Sequence, residues 1–247
     1  MAEWWLIDDS TQDRIASYIN VATDRVIANF GAHGNENSLT AALGQELNGK
    51  RLSVGDTTVS FGYRNFLEQK EEPLTGADGG FLVTITNNNE VVEKGVFFQA
   101  KRFPEYKNIR SLNLNRREAS RLKQQLEDML KLSDQSILLG QTNYDFYAVQ
   151  ATSLVTRGIS ELRFPFRNAQ LLTLGTYLGK WVARCTKGDT RKSFIQGIRN
   201  PKGFLNNLIT MNVHTKQPPF LTEGGKPIDL NSLPRDRIPR PRWRSES

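Results

Sequence analysis

The sequence contains few of the side chains that bind transition metals or form disulfides. Its 247 residues include two histidines, His33 and His214, and one cysteine, Cys185. This set is too small for a zinc site of four Cys and His ligands, and one cysteine cannot form an internal disulfide. A single cysteine fits a reducing compartment, so we expect a cytoplasmic protein. A bound metal would therefore have mainly oxygen ligands, which favours magnesium, manganese or calcium.

Long apolar runs are also missing. No stretch approaches the roughly 20 apolar residues that a membrane-spanning helix needs, and the apolar run Trp4–Ile7 is too short for a signal peptide. We therefore expect no membrane partner. Hydrophobic residues still make up 38% of the chain, which is enough for the packed core of one domain, with or without an appendage.

Positive charge is concentrated in the last quarter of the chain. The net charge is +7, and residues 187–247 account for all of it, with 12 basic and 5 acidic side chains. Residues 1–186 carry 21 side chains of each sign. This distribution favours binding to a polyanion such as nucleic acid. The alternative is a basic segment that is simply solvated.

Hydrophobic periodicity predicts two helices followed by strands. Apolar residues recur every three or four positions over residues 10–30 and over Glu36–Leu47, as in amphipathic helices. The pattern then changes to the alternation that is typical of strands. The predicted strands are Thr57–Tyr63, Gly80–Thr86 and Val91–Lys101, and the last two form a hairpin.

A long helix and two more strands follow the hairpin. Asn115, with Glu118 three residues later, resembles the N-terminal capping box of a helix. Strands are predicted at Ser136–Leu139 and Phe146–Ala151. The order of these elements predicts an α/β core over residues 1–155, including the N-terminal helices, in which helices flank a central mixed sheet.

The rest of the chain predicts no further sheet. Residues 156–215 are expected to form a mainly helical or irregular extension, with a helix at Ala169–Ala183. Residues 216–247 form a basic tail rich in proline and arginine. Because this tail lacks periodicity, we expect it to be extended or disordered.

Three polar residues stand at the ends of the hairpin strands. Asp78 lies just before the strand GFLVTIT, and Gln99 and Lys101 end the strand GVFFQAK that follows. Antiparallel pairing places the start of one strand beside the end of the next, so Asp78 should lie near Gln99 and Lys101. Gln99 and Lys101 share one face because they are two residues apart. The alternatives are an ordinary glycine turn at Asp78 and a solvated strand end at Lys101.

An acidic residue before one strand, (E/Q)-x-K at the end of the next and then a helix resemble the PD-(D/E)XK nucleases, the restriction-endonuclease-like superfamily. The resemblance covers residues 30–151 and is to a QxK variant. It implies that Asp78 and Gln99 help to hold Mg²⁺, with Mn²⁺ as a substitute. Lys101 would then position or deprotonate the attacking water, or stabilise the transition state.

The family also has a glutamate on the helix before the strands. Glu36 is the first choice for this metal ligand and Glu46 is the second. An alternative explanation for Glu36 is the favourable position of an acidic residue at a helix N-terminus. Two departures from the family pattern are Gln99, where glutamate is commoner, and Ala77, where proline is usual. Gln99 removes one negative charge and should weaken metal binding.

Basic residues follow the motif and are expected to contact nucleic-acid phosphates, although a solvated helix face would explain most of them equally well. They are Arg102, Arg116, Arg117, Arg121 and Lys123.

The resemblance implies a Mg²⁺-dependent endodeoxyribonuclease that hydrolyses DNA phosphodiester bonds in restriction or anti-phage defence. We expect a homodimer or higher homo-oligomer, and an activating partner or ligand is a further option. A second hypothesis, favoured by Gln99, is a nucleic-acid-binding protein with an inactive nuclease core. A third is a partner-binding subunit whose basic tail contacts an acidic protein.

Overall fold

Helices flank an open, mixed sheet of eight strands in this α/β protein. The structure is a computed structural model that describes residues 3–66, 75–87, 90–103, 115–155, 171–184, 187–200, 205–216, 220–223 and 226–228. The helices are α1 (Asp9–Ile27), α2 (Glu36–Leu47), α3 (Arg116–Leu132), α4 (Ala151–Val155), α5 (Leu174–Thr176) and α6 (Lys192–Arg199). Helix α5 continues as a π-helical segment at Tyr177–Val182, and a 3-10 turn at Phe30–Ala32 precedes α2.

The strands form one large and one small sheet. They are β1 (Glu3–Trp5), β2 (Arg51–Val54), β3 (Thr57–Asn65), β4 (Gly79–Asn87), β5 (Glu90–Phe103), β6 (Ile137–Thr142), β7 (Phe146–Gln150), β8 (Leu172–Thr173), β9 (Asn207–Thr215), β10 (Phe220–Glu223) and β11 (Lys226–Ile228). The large sheet has the order β2–β3–β9–β4–β5–β6–β7–β8. Its β4–β9 and β5–β6 pairs are parallel and the others are antiparallel. The small sheet is β1–β10–β11.

The local predictions for the first 150 residues are confirmed to within a few residues. Helices α1 and α2 and the β4–β5 hairpin form where the periodicity placed them. Asn115 caps α3 as predicted, because its side chain accepts a hydrogen bond from the Glu118 backbone N–H at 2.9 Å. None of the helices in the described ranges has the length and apolar character needed to cross a membrane.

The expectation of a mainly helical extension over residues 156–215 is wrong for its last nine residues. These form β9, a strand at the centre of the large sheet between β3 and β4. The predicted helix Ala169–Ala183 is helical only from Leu174, since β8 precedes it, and residues 156–170 lie outside the described ranges. From Ile209 onward, buried side chains of β9 alternate with less buried ones, so one face of the strand is covered more fully than the other.

Two hydrophobic clusters cover the two faces of the large sheet, and β5 contributes to both. Val96, Phe98 and Ala100 belong to the cluster that contains the buried residues of α1 and α2. Phe97 and Phe103 belong to the cluster that contains those of α3 and α6. Because alternate residues of β5 enter opposite clusters, both the backbone and the register of this strand are fixed by packing.

Candidate functional site

A cavity of about 290 Å³ lies at the end of the β4–β5 hairpin. It is lined by residues from α2, α3, β5 and the segments before β4 and β9: Glu36, Asn37, Asp78, Gln99, Ala100, Lys101, Arg121, Gln125 and Asn206. The structure therefore brings together the three motif residues and the first-choice glutamate. Elements that are far apart in the sequence meet in this cavity.

Asp78 and Gln99 are in direct contact. Gln99 Nε2 donates to Asp78 Oδ2 at 2.5 Å, and the Ala100 backbone N–H donates to the same oxygen at 3.0 Å. The Asp78 backbone N–H donates to the Phe98 carbonyl at 3.0 Å and so extends the antiparallel ladder of the hairpin by one residue. The ladder thus fixes the Asp78 carboxylate beside Gln99, which is only 3% exposed.

The segment before Asp78 packs directly against α3 because Gly76 has no side chain. Gly76 has a φ of 69°, in the left-handed region that glycine adopts without strain. A Cβ atom at this position would lie 2.6 Å from the Gln125 carbonyl oxygen. This close approach places the cavity against Gln125 and Arg121, which are one helical turn apart on α3.

Lys101 and Glu36 form an ion pair across the cavity. Lys101 Nζ lies 3.4 Å from Glu36 Oε1, and the two side chains are 23% and 32% exposed. Glu36 is the first residue of α2. Its position is set by Asn35, which caps the helix and forms a capping box with Ser38. A carboxylate in this first turn is also stabilised by the helix dipole.

Gln141 of β6 attaches the first turn of α2 to the sheet. Its side chain is fully buried, and Nε2 donates to the Glu36 carbonyl at 3.3 Å and to Thr40 Oγ1 at 2.9 Å. Loss of such buried hydrogen bonds would leave polar groups unsatisfied. Gln141 therefore helps to hold the Glu36 backbone at the cavity.

Two consecutive asparagines at the start of β9 support Asp78 from the other side. The Asn206 backbone N–H and the Asn207 Nδ2 both donate to the Asp78 carbonyl at 3.3 Å. Asn207 Oδ1 in turn accepts a hydrogen bond from the Tyr63 hydroxyl at 2.8 Å. Neither asparagine was a candidate from the sequence, because their contact with Asp78 depends on the position of β9 in the sheet, which has no local signal. Asn37 was not a candidate either, although it follows Glu36 directly.

The side chains of Glu46 and Arg102 contact residues outside the cavity. Glu46 lies ten residues after Glu36 on α2, about 15 Å along the helix, and its Oε1 is 2.6 Å from Arg25 NH1. The Arg102 guanidinium lies 4.5 Å from the centre of the Phe30 ring and donates to the Phe30 carbonyl at 3.1 Å. In this structure Arg102 therefore fixes the turn before α2, and Glu46 joins α2 to α1.

The basic residues of α3 lie on different faces of the helix. Arg121 lines the cavity, and the exposed Arg117 precedes it by one helical turn. Lys123 pairs with Glu127 at 3.6 Å on the exposed surface. The Arg116 side chain lies outside the described part of the chain. Arg117 and Arg121 are therefore the members of the predicted set whose placement suits contact with a ligand in the cavity.

The oxygen atoms of the cavity fit a hard divalent cation, with fewer charges than an all-carboxylate site. Asp78 and Glu36 supply carboxylates, and Gln99 Oε1 and Asn37 Oδ1 are buried amide oxygens that accept no hydrogen bond from described residues. Gln99 must direct Nε2 towards the Asp78 carboxylate, which leaves Oε1 for another partner. No group of three or more His, Cys, Asp or Glu side chains suited to a metal occurs within the described ranges.

No protein-family model, curated protein or solved structure matches this chain. The resemblance to PD-(D/E)XK nucleases therefore depends on the order of the elements and on the residues of this cavity.

Proposed function

We propose that this chain is a metal-dependent nuclease with a restriction-endonuclease-like core that hydrolyses DNA phosphodiester bonds. The observation that carries the proposal is the convergence of Asp78, Gln99, Lys101 and Glu36 in one polar cavity. In the sequence these residues span 65 positions and three elements or their flanks. Two carboxylates, an amide and a lysine in this arrangement suit the chemistry of a QxK site.

The hydrolysis of a phosphodiester requires an activated water and relief of negative charge on the phosphate. Asp78, Gln99 and Glu36 would hold Mg²⁺ or Mn²⁺, which lowers the pKa of water and neutralises phosphate charge when bound. Lys101 brings a positive charge and three N–H donors into the cavity, so it can orient the attacking water or bind a phosphate oxygen. Its contact with Glu36 keeps the ammonium group directed into the cavity.

Arg117 and Arg121 would contact the DNA backbone beside the cavity. Phosphate contacts of this kind position a strand and carry no sequence information directly. The role in restriction or anti-phage defence, the homodimer or higher homo-oligomer, and the activating partner or ligand stay predictions that follow from the resemblance.

A second candidate is a nucleic-acid-binding or partner-binding protein that has lost catalysis on the same fold. Gln99 is the specific observation in its favour, because a neutral amide binds a divalent cation less strongly than a carboxylate does. The two candidates differ in whether the protein hydrolyses DNA in the presence of a divalent metal.

The test is cleavage of plasmid DNA with Mg²⁺ and then Mn²⁺ by the wild type, Asp78→Ala and Lys101→Ala. We expect both variants to lose activity by about 100-fold or more, since each removes a group from the reacting centre, while folding and most DNA binding remain. Lys131→Ala is the matched control, because Lys131 is an exposed lysine that pairs with Asp128 away from the cavity.

Two outcomes would overturn the nuclease assignment. One is DNA cleavage by Lys101→Ala at the same rate as the wild type. This result would assign the activity to another site or to a contaminant. The other is DNA binding without cutting by the wild type in both metals, which would favour the inactive candidate.

A further inference from the structure

A second cavity, of about 500 Å³, lies along β3, β9 and β4, one to three residues in from the strand ends that border the candidate site. It is lined by residues of β3, β4 and β9, the end of α6 and the turn after α2: Asn48, Gly62, Tyr63, Arg64, Leu82, Arg199, Leu208 and Thr210. The described lining residues include two arginines and no aspartate or glutamate. Their charge favours an anionic ligand.

Strand register places the second cavity beside Asp78. Leu208 pairs with Gly80 on one side and with Arg64 on the other, so Arg64 lies two strands across from a residue two positions after Asp78. Neighbouring strands are about 4.8 Å apart, which puts the two backbones about 10 Å from each other. This separation lies within the reach of one DNA strand, whose charges recur every ~3.4 Å along the helix axis.

A chain of hydrogen bonds through Asn207 connects residues of the two cavities. Asn207 donates to the Asp78 carbonyl and accepts from the Tyr63 hydroxyl, and Tyr63 lines the second cavity. The Tyr63 backbone N–H donates to Asn48 Oδ1 at 3.0 Å, which fixes this strand end to the turn after α2. The spacing between the cavities is therefore set by paired strands.

The cavity can remain open because its floor contains Gly62. A Cβ atom at Gly62 would lie 2.7 Å from Thr210 Oγ1, the side chain opposite it on β9. Arg64 is exposed, two residues further along β3, on the same face as Gly62. Arg199 pairs with Glu93 of β5, so part of its charge is neutralised. Arg64 is therefore the stronger anchor for an anion.

We propose that the second cavity binds a phosphate of the same DNA strand that enters the candidate site, with Arg64 as its main contact. This inference rests on the proposed nuclease function. Arg121 lies on the α3 side of Asp78 and Arg64 lies on the β3 side, so the strand is held on both sides of the scissile phosphate. Phosphate contacts of this kind add binding energy away from the reacting centre, so their loss weakens DNA binding more than it slows the chemical step. A small phosphorylated ligand offers the same chemistry and is an outcome of the test below.

The experiment compares wild type, Arg64→Gln, Arg64→Lys and Arg14→Gln in binding a labelled DNA duplex between 50 and about 200 mM salt, and in cleaving it with metal. Arg14 is the matched control, an exposed arginine on α1 that does not line either cavity. We expect Arg64→Gln to raise Kd several-fold and to reduce the slope of log Kd against log salt by about 0.9, the value for one lost phosphate contact. For Arg64→Gln, KM should rise while kcat changes less than about twofold. Arg64→Lys should retain most of the wild-type slope of log Kd against log salt, because it keeps the positive charge.

The outcomes separate this inference from the proposed function. A wild type that neither binds nor cuts DNA overturns both. A wild type that cuts, with Arg64→Gln equal to Arg14→Gln in Kd, salt slope and KM, overturns only the subsite. If inorganic phosphate or a mononucleotide changes the wild-type rate through Arg64, and Arg64→Gln binds DNA normally, the cavity takes a small ligand and the strand contact is also overturned.

Discussion

Gln99 sets the charge of the candidate site. Its Nε2 group donates to the Asp78 carboxylate, so the pair is stable without a cation. A glutamate at this position would bring two carboxylates into contact, and their repulsion would raise the pKa of one of them. A divalent cation bound to both would remove that repulsion.

Gln99→Glu should therefore make the stability of the protein depend on metal. In EDTA at pH 8 we expect a lower Tm than for the wild type, and Mg²⁺ should raise the Tm of the variant more than that of the wild type. Cleavage in Mg²⁺ should be kept or increased. Thermal unfolding across a Mg²⁺ titration measures this effect, with the exposed Gln45→Glu on α2 as the matched change in charge. Equal Mg²⁺ dependence of the Gln99 and Gln45 variants would contradict a metal role for this position.

The residues of the site differ in how far the sequence could predict their contacts. Asp78 and Gln99 could be placed together because a hairpin is a local structure, whose strand spacing fixes which ends meet. Asn207 could not, since its contact with Asp78 depends on a strand that arrives over a hundred residues later. Glu36 and Glu46 were similar candidates by sequence, and only the packing of α2 against the sheet separates them.

At the scale of elements, the β6–β7 turn contains an aspartate with a raised pKa. Burial against α1 raises the pKa of Asp145 to about 6, and the nearby Asp24 carboxylate acts in the same direction. The hydrogen bond that Asp145 Oδ1 accepts from the Phe146 N–H, at 2.7 Å, opposes this shift. The ordinary pKa of aspartate is about 3.9, so the folded state binds this proton more tightly than the unfolded chain does. The resulting stabilisation is present below about pH 4 and is lost as the pH rises through 6.

Asp145→Asn should therefore stabilise the protein at pH 7.5 relative to the wild type and have little effect at pH 4. We expect a gain of about 1 kcal/mol at the higher pH, because partial solvent exposure reduces the full effect of the pKa shift. Urea unfolding at both pH values measures it. Asp56→Asn, in the exposed β2–β3 turn, is the control for loss of a carboxylate. A gain at pH 7.5 no larger than at pH 4 would show that Asp145 does not carry this pH dependence.

At the scale of the whole molecule, β9 joins the two parts of the large sheet. It pairs over nine positions with β3 and over nine with β4, whereas β3 and β4 do not pair with each other. Ile209, Met211 and Val213 alternate with polar residues, a pattern typical of a strand that the predicted helical or irregular extension did not take into account. Local periodicity does not indicate which strands will pair with each other. The central position of β9 could therefore be found only from the tertiary structure. Long-range pairing of this kind also slows folding.

Truncation tests this dependence of the sheet on β9. A chain that ends at Asn206 should lack a cooperative unfolding transition, because β3 and β4 lose their shared partner and the four buried apolar side chains of β9, Leu208, Ile209, Met211 and Val213. Burial of those four contributes roughly 6–12 kcal/mol, comparable with the stability of a typical domain. A chain that ends at Lys216 keeps β9 and should unfold cooperatively, although it loses the short β1–β10 pairing. If its missing basic tail contacts phosphates, it should also bind DNA with a smaller salt slope. Circular dichroism during urea unfolding distinguishes the two truncated chains. If the chain that ends at Asn206 unfolds as cooperatively as the wild type, the sheet forms without β9.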